Sequence, residues 1–474
     1  MGSIVAQRTF DIGDQRAFAQ LSGDVNPLHM DPALARRSQT GDVVVHGMHI
    51  ALWALDVLCR KSPGLHVNSF RACFTSPLRI NERADLKIVS QSSHETKVDI
   101  EAAGAVVCEL ALSSVVDPLA TPLADAVTAK PENRDKPVEL LPEQLPSRRG
   151  AVSLAESDAC IAAFPALCTT IGAPRVAGLI GTTRVVGMEC PGLFSLYSKI
   201  GATFHGDDAG NRLRFAVARY DSRFRCARIE VAGAGVRASL EAFLRLPPIA
   251  QPTMREVAER VRPDVFAGQR VLIVGGSRGL GEATAKIIAA GGGVPMVTYA
   301  RGRTDAQRVA EDICSWGAIC TIAPYDARAP AQPQLGFIEA PPASLYYFAT
   351  GPIFARAASP YDPDALHEFM TIYVEGFATL CATMPRPPSG RMRAFYPSTA
   401  ALDSWVRGFG EYAMAKAAGE LLCRHLERSL PGLSIVVKRL PRVLTDLTAT
   451  VIPADAETAI DVMIPIVAET QHAL

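Results

Sequence analysis

The chain has 474 residues, with 48 Lys plus Arg set against 48 Asp plus Glu and a formal net charge of +0. That balance excludes a bulk pull toward nucleic acid or anionic membrane, and 48% hydrophobic with 20% charged residues excludes disordered and collagen-like classes. No apolar run reaches the ~20 residues of a membrane span, and residues 1–10 hold no apolar signal core, so a cytoplasmic protein is expected.

At about 150 residues per domain the length predicts roughly three domains. The stretch 117–137 is rich in Pro, Ala and charge, and 246–268 opens on Leu-Pro-Pro-Ile-Ala-Gln-Pro; both read as linkers. They leave domains at 1–120, 136–250 and 266–474. The eleven cysteines are scattered with no CxxC pair, so free buried thiols and no metal site are expected.

In the first domain Asn26-Pro27 disfavours helix and predicts a turn. The turn draws the Asp24 carboxylate and the His29 imidazole toward one point. A carboxylate with an imidazole is an acid–base pair near neutral pH. From Gly47 onward, Met48, Ala51, Leu52, Leu55 and Leu58 share one helix face. Gly47 opens that helix, where an N–H group can receive charge developing on a thioester oxygen. The segments 84–90, 95–101 and 106–115 are β-prone. One long helix followed by an antiparallel sheet that wraps it is the hot-dog pattern.

The second domain reads as a copy of the first. Ser62-Pro63-Gly64-Leu65 recurs as Cys190-Pro191-Gly192-Leu193, and Ile100-Glu101-Ala102-Ala103-Gly104 as Ile229-Glu230-Val231-Ala232-Gly233, at offsets of 128 and 129 residues. The copy has no histidine between Glu139 and Phe204, so a non-catalytic half is expected.

The third domain is of another kind. A short apolar strand at 271–274 runs into Gly275-Gly276-Ser277-Arg278-Gly279-Leu280-Gly281 and a helix at 282–290. Further strands are predicted at 294–299, 319–323 and 344–348. Alternating strand and helix predicts a Rossmann-type, doubly wound parallel sheet. The fold class is thus multidomain, α+β followed by α/β. Tyr412 and Lys416 lie one helical turn apart, and an ammonium beside a phenol is expected to lower the phenol pKa. Such a tyrosine gives a proton to a carbonyl while a nicotinamide gives hydride.

The run Gly23-Asp24-Val25-Asn26-Pro27-Leu28-His29, followed by Val45-His46-Gly47, resembles the signature of the MaoC-like, or (R)-specific enoyl hydratase, family over roughly residues 8–115. The resemblance implies that Asp24 and His29 carry hydration of a trans-2-enoyl thioester, or the reverse dehydration. It assigns the oxyanion contact to the Gly47 N–H. Ser22 and Asn26 read as turn residues, His46 as a residue that orients the loop, and His49 as a packed histidine without a role.

The glycine turn, with Tyr412 and Lys416, resembles the short-chain dehydrogenase/reductase family over about 268–450. The resemblance implies a nicotinamide cofactor held by Gly275, Ser277, Arg278, Gly279, Leu280, Gly281, Arg301, Asp326, Gly351 and Thr445. Arg278 with Arg301 or Arg303 stands where a 2′-phosphate is held. No acid sits at 297–301, which favours NADPH over NAD. The carbonyl-orienting residue is Ser398 by type or Thr399 by spacing. Departures also stand out. Ala349-Thr350-Gly351 replaces Asn-Ala-Gly, Tyr373 replaces the relay asparagine, and Pro441-Arg442 replaces Pro-Gly. Only 26 residues follow Thr448, so a short or missing lid and last strand are expected.

Taken together, the two resemblances imply a bifunctional ketoreductase–dehydratase that uses NADPH. Its substrate would be an acyl thioester on acyl carrier protein or coenzyme A, in fatty acid, polyketide or related metabolism, with a homodimer as its assembly and no nucleic acid or membrane partner. The alternative is a hydratase alone, the third domain serving as a nucleotide-binding or carrier-docking scaffold.

Overall fold

The computed structural model describes residues 3–38, 40–115, 134–206, 210–353, 361–404, 406, 408–450 and 455–472. Two compact units divide after Pro247. Residues 117–133 of the first expected linker lie outside the described residues.

The first unit carries β1 (Ile4–Thr9), β2 (Ser69–Phe74), β3 (Arg83–Gln91), β4 (Glu95–Ala102) and β5 (Ala105–Ser113) in its first half. Its second half carries β6 (Arg149–Ser153), β7 (Ser195–Phe204), β8 (Arg212–Asp221), β9 (Cys226–Gly233) and β10 (Val236–Leu244). They form one antiparallel sheet in the order β1-β3-β4-β5-β2-β7-β10-β9-β8-β6. Equivalent strands stand at mirrored places about the central pair, as a duplication requires. At that pair Phe70 faces Ala202 and Ala72 faces Ile200. Alternation builds the strands: in β4, Thr96, Val98, Ile100 and Ala102 are buried, while Lys97 between them is exposed.

Three helices of this unit matter for the site: α1 (Ile12–Ser22), α2 (Gly47–Lys61) and α3 (Ala173–Arg184). The helix α2 is buried well beyond the single face expected, since His49, Ile50, Trp53, Ala54 and Asp56 are buried too. A helix apolar nearly all round belongs inside a core. Its buried Asp56 accepts the N–H groups of Ala166 and Leu167 at 2.8 and 3.0 Å, which ties it to the second half. The chain of α3 widens into a π turn over Val185–Glu189.

The second unit holds β11 (Arg270–Val274), β12 (Val294–Tyr299), β13 (Thr321–Pro324), β14 (Ser344–Tyr347), β15 (Met392–Thr399) and β16 (Leu433–Leu440). All pairings are parallel, in the order β13-β12-β11-β14-β15-β16. The order reverses between β11 and β14, the place where such sheets open a binding crevice. Helices α4 (Gly279–Ala290), α5 (Pro363–Met370), α6 (Gly410–Ser429) and α7 (Ala459–His472) accompany it. No strand follows β16 among the described residues; α7 stands there instead. The stretch 246–268 is not a bare linker. Met254, Val257 and Phe266 are buried in the core of this unit, which therefore begins at Pro248 rather than at 266. All eleven cysteines are free. Among the described residues no helix is long and apolar enough to cross a membrane.

Candidate active sites

Asp24 follows the end of α1 and is 1% exposed. Asn26 holds the next turn from inside: its Oδ1 accepts the Leu28 N–H at 3.1 Å. Its Nδ2 donates to Gly187 O at 2.9 Å and Gly192 O at 3.1 Å. His29 lies in the helical turn Pro27–Met30, with Nδ1 2.8 Å from Val44 O. A carbonyl only accepts, so Nδ1 carries the proton and Nε2 keeps the lone pair. The His29 ring stacks on His46 with centroids 3.8 Å apart. His46 is the residue before Gly47, so the pair meets the head of α2, where the first N–H groups have no acceptor within the helix. Asp24, His29 and His46 are thus brought to one place, and Gly47 follows His46 in the chain.

Burial pushes the Asp24 carboxyl up, against His29, the Thr183 hydroxyl and the Asn26 N–H, which favour the ionised form. Burial first, and His46 second, press His29 down to about 3, so its imidazole is neutral. No metal ligand set was expected, yet donor atoms of Asp24, His29 and His46 lie within 4.8 Å of one another. Most are committed: His46 Nδ1 faces Gln15 Oε1 at 2.9 Å and His46 Nε2 faces Asp24 O at 3.1 Å. That leaves His29 Nε2 beside the carboxylate, a setting for one bound water. His49 is packed as expected, stacked on Phe18 at 4.5 Å.

The second half reaches into this site. Thr183, on α3, donates its hydroxyl to Asp24 Oδ2 at 2.7 Å. The π turn then brings Gly187 against the same carboxylate, where an added Cβ would overlap it. Only glycine permits that approach. Single π turns of this kind recur at functional positions.

In the second unit the glycine turn takes the shape expected. Gly275 and Gly279 hold φ of +77° and +57°, and the Gly276 N–H donates to Thr298 O at 3.0 Å. Gly281 packs so close to Gly275 O that a Cβ would overlap it. Ser277 is buried, Leu280 packs on the core, and Thr445 lies against Gly279. These residues form a cradle at the N-terminus of α4, a place suited to a pyrophosphate. Arg278 has a further neighbour within the fold: its Nη1 lies 3.6 Å from Oδ2 of the buried Asp446. Arg301 and Arg303 remain exposed after β12. Asp326 accepts the Arg328 N–H at 3.0 Å, and Arg328 bridges to Glu368 at 2.7 Å, beside Gly351.

Thr399 and Ser398 point opposite ways on β15. Thr399 lies on the Tyr412 side, where its hydroxyl favours the ionised form of the Tyr412 phenol. Ser398 turns away and donates to Glu420 Oε1 at 2.6 Å. Strand alternation forces the choice, so Ser398 does not join the Tyr412 group. The expected lowering of the tyrosine is also reversed. Burial raises the Tyr412 pKa, because Lys416 is committed elsewhere: its Nζ donates to Pro397 O at 2.7 Å and lies 3.9 Å from the centre of the Tyr373 ring. Burial lowers Lys416 to about 7. Tyr373 itself sits in a second π turn, Thr371–Glu375, and meets the Thr350 hydroxyl at 2.5 Å.

Against known families, a profile described as the MaoC like domain matches residues 5–108. The N-terminal segment is a MaoC-like domain. A mitochondrial 3-hydroxyacyl-[acyl-carrier-protein] dehydratase of Arabidopsis thaliana is 32% identical over 90 residues, 19% of this chain and 54% of its own. An (R)-specific enoyl-CoA hydratase of Aeromonas caviae is 40% identical over 57 residues, 12% of this chain and 42% of its own. The chain spans about half the length of these curated relatives. Among solved structures, a short chain dehydrogenase from Burkholderia cenocepacia in complex with NADP is 21% identical, covering 43% of this chain and 91% of that one, with a TM-score of 0.39. An angucycline C-6 ketoreductase with bound NADP is 17% identical, covering 44% and 91%, with a TM-score of 0.40.

Within the MaoC-like domain, Asp24, His29 and Gly47 were all visible in the sequence. Thr183 and Gly187 were not, since they lie outside that domain. Gly187 left one signal, a glycine inside an apolar helical run. Asn26 does more than shape its turn, because its amide binds the second half.

Proposed function

We propose that the first unit adds water to a trans-2-enoyl thioester, or removes it from a 3-hydroxyacyl thioester, and that the second unit reduces a 3-oxoacyl thioester with NADPH. The observation that carries the first activity is the meeting of a buried Asp24, a neutral His29 with Nε2 free for a proton, and the head of α2. In this reading Asp24 and His29 hold one water. The pair takes a proton from it as its oxygen bonds to C3. The Gly47 N–H receives the charge on the thioester oxygen, and the proton returns at C2. Dehydration runs the same steps backward.

For the second activity, the cradle of Gly275, Gly279 and Gly281 at the head of α4 fits a dinucleotide, with Thr445 beside it. NADPH supplies hydride when bound. Tyr412 gives the proton to the carbonyl oxygen, and Thr399 orients that hydroxyl. Arg301 or Arg303 would meet the 2′-phosphate. The two activities form a sequence: the hydroxyl made by reduction is the one removed as water. Substrates carried on acyl carrier protein or coenzyme A suit both steps.

One observation favours the alternative of a hydratase alone. Lys416 is covered by the Tyr373 ring, and Tyr396 donates its hydroxyl to Tyr373 O at 3.1 Å, so the usual route for a proton relay is closed by aromatic side chains. The experiment is mass spectrometry of acetoacetyl thioester incubated with the whole chain and NADPH. Crotonyl thioester as product supports both activities. Crotonyl hydration without NADPH consumption supports the alternative. Neither reaction, on either carrier, ends the proposal.

A further inference from the structure

We propose that Arg245 receives an anionic group on the acyl chain of the substrate, so that the first site prefers enoyl thioesters bearing a carboxylate near the reacting carbons. This rests on the hydratase reading of the Asp24–His29 site and deepens it.

Arg245 follows β10 and is anchored by backbone carbonyls. Its Nε donates to Ser195 O at 3.2 Å, and its Nη2 to Leu193 O at 3.5 Å. Its own N–H donates to Phe194 O at 2.8 Å. The same Leu193 O takes the Asn26 side-chain amide at 3.3 Å. The guanidinium and the turn that holds Asp24 and His29 therefore share an acceptor.

No carboxylate pairs with Arg245 among the described residues. Other arginines of this unit differ: Arg148 meets Glu189 at 2.8 Å and Arg60 meets Asp56 at 2.6 Å. Carbonyl oxygens carry no net charge, so Arg245 keeps a partly buried cation that they do not neutralise. Burial lowers it to about 10, and its field weakly disfavours protonation of His29. The shared Leu193 O sets that cation beside the Asn26 turn. A planar guanidinium held by two carbonyls still has donors left for a carboxylate.

An anion there could come from the acyl chain or from the phosphate of the carrier. The long pantetheine arm separates that phosphate from the thioester. Arg245 instead stands by the turn that works on C2 and C3, so the acyl chain is the source.

The test compares initial hydration rates of the whole chain on crotonyl-pantetheine, glutaconyl-pantetheine and crotonyl-coenzyme A. Glutaconyl adds a carboxylate to the acyl chain, and coenzyme A adds phosphates. The expected kcat/KM for glutaconyl exceeds that for crotonyl-pantetheine by about tenfold or more. That ratio falls toward one in Arg245→Met and less far in Arg245→Lys. A wild-type ratio at or below one overturns the proposal, and this reading needs no variant to fold. So does a ratio that survives Arg245→Met. A preference for coenzyme A that Arg245→Met removes, with no carboxylate preference, overturns it in favour of the carrier phosphate. Failure to hydrate any of the three thioesters sinks the hydratase reading itself, and this proposal with it.

Discussion

Thr183 reaches Asp24 with a 2.7 Å hydrogen bond from a helix 159 residues further along the chain. The half that lacks its own acid–base pair thus holds the pair of the other half in place. In the proposed hydratase reading one half carries Asp24 and His29, and the other supplies the hydroxyl and the glycine that fit around the carboxylate.

Removing that hydroxyl tests the division. Thr183→Val keeps shape and loses the donor. A hydrogen bond to a charged group is worth about 1.5–3 kcal/mol, so hydration should slow by roughly ten- to a hundredfold. The ionised form of Asp24 loses a supporter, and its already raised pKa climbs further. The acid limb of the pH–rate profile should move to higher pH. Thr183→Ser should restore both rate and limb. An unmoved acid limb in Thr183→Val would mean that Thr183 does not act through Asp24.

Ionising Asp24 costs the fold stability. Its folded pKa lies above the unfolded value of 3.8, chiefly through burial. Below the unfolded value the carboxyl is neutral in both states and carries no penalty. As pH rises through the folded pKa, the penalty of the buried charge becomes complete. Asp24→Asn should therefore abolish hydration while raising Tm at neutral pH, and the gain should shrink on acidification. A lower Tm for Asp24→Asn at pH 7 would show that its hydrogen bonds outweigh its burial.

Three histidines shape acid stability, His46 and His49 buried and His29 partly so. His29, His46 and His49 are each pressed down to about 3, mainly by burial. In the unfolded chain a histidine titrates near 6.5. Between those values the unfolded state binds protons that the fold refuses, so stability is lost as pH falls from about 6.5 toward 3. His49 lies outside the Asp24–His29 pair, although its charge also presses His46 down. Its Nδ1 has no partner, and its ring stacks on Phe18 and meets Phe10 edge-on. In urea titrations across this range, His49→Phe should lessen the slope of unfolding free energy by about 1.4 kcal/mol per pH unit, one proton's worth. An unchanged slope would mean that folded His49 titrates like a free one.

Much of this was legible because it is local. Asp24, His29 and Gly47 lie within one short stretch, and Pro27 sets the turn that joins them. The likeness of the two halves was readable from two short repeats at offsets of 128 and 129 residues. The parallel strands followed from apolar runs and glycines. What was hidden depends on distant contact. Thr183 and Gly187 reach Asp24 only through packing of the two halves. The ion pair of Arg278 with Asp446 was hidden because the two lie far apart in sequence. Tyr412 was expected to be lowered by Lys416, but Tyr373 and Pro397 draw that ammonium aside. The stretch 246–268 looked like a linker because its prolines outweighed Met254 and Val257 to the eye.

Ser398 and Thr399 show how one residue of register decides a role. Both stand at suitable distance before Tyr412, and only strand direction separates them. Thr399 lies on the Tyr412 side, while Ser398 is bonded to Glu420, which Arg439 also holds at 2.8 Å. If Tyr412 delivers the proton in ketone reduction, Thr399→Val removes the group that orients it. NADPH-dependent reduction of acetoacetyl thioester should then fall by roughly a hundredfold, within the range for a lost catalytic hydrogen bond. Ser398→Ala breaks a contact on the opposite face and should lower the rate no more than about threefold, through small shifts of β15. NADPH affinity, read by fluorescence titration, should hold in Thr399→Val, because the cradle at Gly275 and Gly279 is untouched. Reversal of the two effects would assign the carbonyl to the Ser398 face and require a different position for Tyr412 in the working enzyme.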